Sequence, residues 1–370
     1  MTPETMTPDM NAPAPPAVEV RALAKHYGPV KALDGVDLTI EAGEYFVLLG
    51  PSGGGKTTLL RTIGGFHRPT AGQVLLHGAE VSHLPPDKRP TAMVFQSYAL
   101  FPHMSVARNV GYGLKLAGLA KSAIAEKTAA MLEMVGLDGL ADRKPHELSG
   151  GQQQRVQLAR ALVLDRDILL LDEPLAALDA QLRKDMCLEL KHLQEKVGIT
   201  FIHVTHNQEE AMTVADRIAL IAAGKLVEQG SARDVYETPR RRFTASFVGE
   251  NNVLDGVVAS VTADGAMVDV GGAIVHAAGA GAAAGMKVAV SVRSELVDMS
   301  AAPGPEGASL PARYRETVYL GLITFHRAML ANDVELTSRL ISTAGVAWRP
   351  DPGSDVHLHW PPGAARLHLD

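Results

Sequence analysis

The sequence predicts a parallel α/β domain followed by a small all-β domain, and three observations carry that prediction. Between Val18 and about Arg242, short runs such as Ile168-Leu169-Leu170-Leu171 are apolar at every position, the mark of strands buried on both faces of a parallel sheet. Helical segments alternate with those runs. From about Phe247 the pattern changes to short β-rich runs split by Gly and Pro, as in a barrel or sandwich. At 370 residues the chain exceeds one ordinary domain of roughly 100–200 residues.

Taken in order, residues 1–17 form a Pro-rich polar leader, expected to be disordered. The first domain is expected over 18–245, with strands at 45–49, 168–171, 201–205 and 218–221. Residues 122–135 read as a helix: Ile124, Met131, Leu132 and Val135 share one face and Gly136 ends it. With its surroundings it reads as an inserted helical region spanning about 98–160. The second domain, 246–370, is expected to hold strands at 253–261, 266–270, 287–292, 317–320 and 355–360.

Composition narrows the function classes. The 35 basic and 41 acidic residues are interspersed and sum to −6, which argues against a cationic nucleic-acid face or a polybasic membrane anchor. One cysteine, Cys187, excludes a disulfide framework or a multi-cysteine metal site and suits a reducing compartment. No stretch approaches 18 strongly apolar residues; the longest uncharged run, 270–286, is Gly/Ala-rich and reads as strand and loop.

Gly50-Pro51-Ser52-Gly53-Gly54-Gly55-Lys56-Thr57-Thr58 fits G-x-x-x-x-G-K-[ST], after an apolar strand and before a helical run. The glycines let successive N–H groups turn toward one anion, and the helix N-terminus adds its dipole. Lys56 supplies a charge to the β/γ-phosphates and Thr57 a hard oxygen for Mg²⁺, so this chain is expected to bind a nucleotide. The strand 168–171 ends in Asp172-Glu173. Asp172 faces the crevice where ligands of open α/β sheets bind and is expected to help hold Mg²⁺. Glu173, one residue on, points elsewhere and is the expected base for a water attacking the γ-phosphate in line.

Leu148-Ser149-Gly150-Gly151-Gln152-Gln153-Gln154-Arg155 opens a helix with a good N-cap and two bare amides, a second anion site. One nucleotide needs only one phosphate loop, so the second site makes sense if it closes over a nucleotide held by another subunit.

That segment resembles the signature of the ATP-binding cassette ATPases, and the family's other motifs follow in order. Tyr27 resembles the aromatic that stacks on adenine, and Gln96 the glutamine that touches Mg²⁺ and the attacking water. Asp179, in Ala177-Leu178-Asp179, resembles the loop that crosses the dimer interface, and His206 the switch histidine at the γ-phosphate. The resemblance covers about 18–242 and implies a P-loop NTPase cassette with a helical subdomain, ATP and Mg²⁺ as ligands, and a second copy as partner. Gly54, Ala176 and Asn207 depart from the commoner Ser or Cys, Ser and Asp; Gly54 is expected to loosen the loop slightly.

The tail resembles the transport-associated OB-like barrel of importer ATPases. Val292-Arg293-Ser294-Glu295 is similar to its V-R-P-E, Val318-Tyr319-Leu320-Gly321 to its Y-L-G element, and Val356-His357-Leu358-His359-Trp360 to its last strand. Phe247-Val248-Gly249-Glu250-Asn251-Asn252 resembles the polyamine-importer branch; iron, thiamine, phosphonate and sugar importers are relatives. The resemblance implies an ATPase energising solute import, peripheral on the cytoplasmic face of a bacterial inner membrane. It would dock two permease subunits and, through them, serve an extracytoplasmic solute-binding protein. A DNA- or ribosome-acting cassette is disfavoured by the acidic charge and by the interval Lys56–Leu148, which lacks sustained heptads.

Elsewhere the residues read as structural. His203 and His206 fall on opposite faces of a strand, so they do not pair as metal ligands. His357 and His359 alternate with apolar residues and face solvent, and Cys187 sits in a Leu-rich helical run as packing.

Overall fold

The structure, a computed structural model, describes residues 15–97, 99–304, 309–342 and 350–370, so most of the expected leader lies outside the described residues. Ala17 is described and is buried, its carbonyl accepting from His77 N. The chain divides into two units, 1–232 and 233–370.

The first unit begins with β1 (Val18–Tyr27) and β2 (Val30–Ile40), an antiparallel pair, before β3 (Tyr45–Leu49) leads through the 50–55 loop into α1 (Lys56–Ile63). β4 (Ala71–Leu76) and β5 (Ala79–Glu80) return to the first pair, giving a four-stranded sheet in the order β2-β1-β4-β5. Alternation of strands and helices was the expectation for this whole domain. The antiparallel opening departs from it: β1 and β2 are only partly buried, with exposed positions along both strands and bulges between Val20 and His26, unlike the fully buried parallel strands.

β6 (Thr91–Val94) is followed by the helical region: α2 (Val106–Val110), α3 (Tyr112–Leu116), α4 (Lys121–Met134) and α5 (Gly150–Leu162). Gly136, at φ 65°, follows α4, and Met131, Leu132 and Val135 are buried. The parallel sheet then completes with β7 (Ile168–Asp172), α6 (Ala180–Val197), β8 (Thr200–Thr205), α7 (Gln208–Val214), β9 (Arg217–Ala222) and β10 (Lys225–Ser231). Its order is β10-β9-β3-β8-β7-β6, with only β10 antiparallel. Phe46, Leu48, Ile168, Leu170, Ile202, Val204, Ala219 and Ile221 meet α1 and the first sheet in one core, while Tyr45, Val47, Leu49, Leu169, Leu171 and Phe201 are buried on the other face. At about 1.5–3 kcal/mol for each large apolar side chain, this two-sided burial fixes the strand ends that carry the site.

The second unit runs through α8 (Ala232–Glu237), α9 (Arg242–Phe247), β11 (Asn251–Val261), β12 (Gly265–Asp269), β13 (Ile274–Ala278) and β14 (Lys287–Arg293). It continues through β15 (Asp298–Ser300), β16 (Ser309–Tyr319), β17 (Ile323–Met329), β18 (Glu335–Ile341), β19 (Asp355–His359) and β20 (Arg366–His368). Five strands close a barrel, β11-β12-β13-β20-β14, and the others form a sheet in the order β15-β19-β16-β17-β18. Both share one core around Val268, Val290, Leu310, Leu358 and Trp360.

Two expectations shift here. The segment expected as the last strand is β19, in the open sheet, and β20 follows it into the barrel. Residues 233–245 group with the second unit. Arg293 carries the physical reason: its guanidinium lies 3.6 Å from the Tyr236 ring centroid and donates to the carbonyls of Tyr236 and Val248. His357 and His359 are partly exposed beside buried Val356, Leu358 and Trp360, as expected of a strand with one wet face. Among the described residues no helix is long and apolar enough to cross a membrane, and no group of three or more His, Cys, Asp or Glu could hold a metal.

Candidate nucleotide-hydrolysis site

β3 delivers the chain into a loop that only glycine can build at its two ends. A Cβ on Gly50 (φ +149°) would lie 2.0 Å from Ile221 O, and one on Gly55 (φ +108°) 2.4 Å from Ala32 O. Gly55 caps α1 without a side-chain bond, so the helix's first N–H groups are left for an anion. Ser52 and Gly53 (φ 76°) are exposed at the loop's crest, and Thr57 and Thr58 follow Lys56 in the first turn of α1. Lys56 is buried, and Nζ donates to Gly50 O at 2.8 Å and Pro51 O at 2.9 Å. Burial lowers its ammonium pKa, with Glu173 and Asp172 pulling the other way.

Asp172 ends β7 and is nearly fully buried. Thr57 Oγ1 donates to its Oδ1 at 2.9 Å, and Arg61 Nε and Nη2 donate to its Oδ2 at 3.3 and 3.1 Å. A hydroxyl and a carboxylate held together are hard oxygen donors, a set that fits Mg²⁺.

Glu173 then turns away from Asp172. It adopts φ 46°, the left-handed region that costs a non-glycine residue about 1–3 kcal/mol, and its N–H is anchored on Val204 O at 3.0 Å. That turn places its carboxylate between two side chains from distant loops. Gln96 Nε2 donates to Oε2 at 3.2 Å, and His206 Nδ1 lies 3.3 Å from Oε1. The three expected catalytic residues are thus in contact.

Behind His206 lies a buried polar chain. Thr205 Oγ1 accepts from Asn207 N at 2.9 Å and donates to Glu210 Oε2 at 2.6 Å. His203, two residues before Thr205 on the same face of β8, has Nε2 3.8 Å from Glu210 Oε2 and Nδ1 3.1 Å from Tyr45 Oη. Burial raises the Glu210 carboxyl, and it drives His203 down to about 3, so that imidazole stays neutral.

The remaining expected residues sit elsewhere in the unit. Ser149 N-caps α5 in a reciprocal box with Gln152: Gln152 N donates to Ser149 Oγ at 3.4 Å and Ser149 N to Gln152 Oε1 at 3.0 Å. Gly150 and Gly151 form the bare first turn. Among the described residues no hydrogen bond or ion pair joins this segment to the 50–58 loop. Asp179 N-caps α6, accepting from Leu182 N at 3.0 Å. Tyr27 is 46% exposed at the end of β1, with Lys25 Nζ 4.9 Å over its ring.

Residues 33–176 match the family described as ABC transporter, and residues 290–367 match the TOBE domain. The spermidine/putrescine import ATP-binding protein PotA of Roseobacter denitrificans is 45% identical over 363 residues, covering 97% of this chain and 99% of that protein. PotA 1 of Pseudomonas aeruginosa is 48% identical over 370 residues, covering 96% and 97%. The chain belongs to the ABC transporter ATP-binding family.

As an ABC ATPase it binds and hydrolyses ATP. Its fold is similar to a post-hydrolysis ATP-binding cassette dimer bound to ADP and Pi, with TM-score 0.52 and 33% identity over 58% of this chain and 99% of that chain. It is also similar to cbiO1 from Clostridium perfringens, with TM-score 0.56 and 28% identity over 60% and 90%.

Two departures from the commoner ABC pattern acquire physical accounts. Gly54 is buried, its N–H donates to Pro51 O at 3.1 Å, its carbonyl accepts from Gly224 N at 2.9 Å, and a Cβ there would lie 2.7 Å from Ile221 O. Asn207 caps α7, its side chain accepting from Glu210 N at 3.1 Å, as an aspartate there could. The sequence reading passed over Arg61. Its signal was available, since Thr57 and Arg61 stand four apart and share one helix face pointing at Asp172.

Proposed function

We propose that this ABC ATPase powers the import of polyamines, spermidine and putrescine, through a membrane permease. The observation that carries the catalytic reading is the Glu173 carboxylate held between Gln96 and His206, beside the Thr57–Asp172 pair and buried Lys56. ATP seats its phosphates on the bare amides of Gly50–Thr58, with Pro51, Ser52, Gly53, Gly54 and Gly55 shaping the loop, and Lys56 releases its loop carbonyls to meet them. Tyr27 offers the free face of its ring to adenine.

Glu173 accepts a proton from a water that Gln96 and His206 orient. The water oxygen bonds to the γ-phosphorus as the bond to the β–γ bridging oxygen breaks, leaving ADP and phosphate. Mg²⁺ would be held by Thr57, Asp172 and Gln96 and would supply charge neutralisation at the phosphate oxygens. Ser149, Gly150, Gly151 and Gln152 act on the ATP of a second copy, and Asp179 lies in the segment that crosses to it. The relatives' names support the polyamine substrate, which implies two permease subunits, an extracytoplasmic solute-binding protein, and a peripheral place on the inner membrane's cytoplasmic face. The net charge of −6 supports a role away from nucleic acid.

The test is uptake of labelled spermidine and putrescine by cells deleted for this gene and carrying either the parent chain or Glu173→Gln. The parent restores uptake; the variant binds ATP and restores none, with hydrolysis down about 10²–10⁴-fold. Undiminished polyamine uptake in the deleted strain refutes the substrate, and near-normal hydrolysis by Glu173→Gln refutes the base.

A further inference from the structure

The α5 helix grips the loop that carries Gln96 at alternate backbone carbonyls. Gln157 is 2% exposed, and its Nε2 donates to Phe95 O at 2.8 Å and to Ser97 O at 3.2 Å, one on either side of Gln96. Arg160, three residues on along the same helix face, donates from Nη1 to Ala99 O at 2.8 Å and lies 5.4 Å from the Phe101 ring centroid. Gln157 Oε1 makes no hydrogen bond among the described residues, so the amide is buried for its two donors alone. Burying a polar amide is costly unless its bonds are made, and here the bonds it makes clamp one residue.

The clamp bears on chemistry because Gln96 reaches Glu173 from an exposed loop rather than from a strand. Gln96 itself is exposed, and Ala99 two residues past Ser97 adopts φ 46°, so the loop follows an irregular path. Its fixed reference is α5, which Ser149 caps and whose first turn holds Gln152. We propose that Gln157 is a positioning residue for hydrolysis: it holds the Gln96 loop to the α5 helix so that Gln96 stays in reach of Glu173, and it moves Gln96 whenever α5 moves. The proposal rests on the role given to Gln96 above.

The test compares full-length Gln157→Met, of similar length but with no donor, with Gln157→Glu and with the parent. Binding of a fluorescent ATP analogue stays within about twofold in both variants, while kcat for ATP falls about tenfold or more, a loss typical of small misplacements in a site. Gln157→Glu donates one hydrogen bond only when protonated, so its kcat relative to the parent rises as pH falls, and Gln157→Met shows no such rise. Placed on a Gln96→Ala background, Gln157→Met costs less than about twofold, because its effect passes through Gln96.

A kcat within about twofold of the parent, or losses that multiply with Gln96→Ala, overturns the proposal. So does a fall in nucleotide binding that matches the fall in kcat. If Gln96→Ala alone leaves kcat unchanged, the role of Gln96 fails first, and that outcome is separable from the failure of the clamp.

Discussion

Thr57 Oγ1 donates to Asp172 Oδ1 at 2.9 Å, joining residues 115 positions apart across α1 and β7. Arg61 holds the other carboxylate oxygen from the same face of α1, so both sides of Asp172 are fixed by one helix. Asp172→Asn keeps the shape and removes the charge that both partners read. The expected result is a 10- to 100-fold weaker activation by Mg²⁺, of the order seen when residues supporting a metal site are changed. Titrating ATPase activity with Mg²⁺ measures it; an unchanged half-activating concentration counts against the pairing's role.

Ser149→Ala separates two tasks of one hydroxyl. Losing the cap that accepts from Gln152 N costs about 1 kcal/mol in urea unfolding. ATP binding to the 50–58 loop is untouched, but ATP-driven association, followed by gel filtration on a Glu173→Gln background, is lost. Association at parental ATP concentrations would confine Ser149 to capping.

Arg89 is fully buried and donates to Leu84 O, Thr62 O and Ile63 O at 3.0, 2.9 and 2.7 Å, closing the C-terminal end of α1. Burial pushes its pKa down to about 10, still charged at neutral pH. Arg89→Met removes the donor to the Leu84 and Ile63 carbonyls, while Thr62 O keeps Gly65 N at 3.2 Å, at about 2–3 kcal/mol. Urea titration should show a lower midpoint with an unchanged slope; a midpoint equal to the parent's rules the role out.

His203 predicts a loss of stability in acid. Burial holds it at about 3 against an ordinary 6.5, so below about 6.5 the unfolded chain takes up a proton that the folded chain refuses. Its contribution is complete above about 6.5 and drains away as pH falls toward about 3. Tyr45 and Glu210 face it, and Glu210 opposes this trend: burial raises its carboxyl, which favours the folded chain in acid. Between about pH 7.5 and about pH 5, the parent should therefore lose more unfolding free energy than His203→Gln. Parallel losses in the two chains would assign the acid lability elsewhere.

Much of this site was legible because its residue types are chemically obligatory at their spacing. A loop that must curl around an anion needs Gly50 and Gly55, and a strand buried on both faces announces the polar Asp172 and Glu173 at its end. Seats on loops were reachable only through resemblance: nothing local to Gln96 or His206 says that Glu173 turns left-handed to meet both. The antiparallel opening sheet was missed because β1 and β2 contain bulges that break strict alternation. In the second unit, β17 and β18 passed unnoticed since polar residues such as Thr324, His326, Ser338 and Arg339 interrupt their apolar runs. β20, three residues long, is below what periodicity can register.

That three-residue strand also dictates an order of assembly. The barrel opens at Asn251, yet β13 and β14 are bridged only when Arg366–His368 slots between them. On a translating ribosome the ATP-binding unit can finish its backbone pairing while the barrel still shows two raw edges to the cytosol, the kind of template on which nascent chains stick to one another. The closing stitch is therefore a segment the barrel cannot lose without reopening, and the demand for chaperone protection lasts until residues 366–368 have left the ribosome.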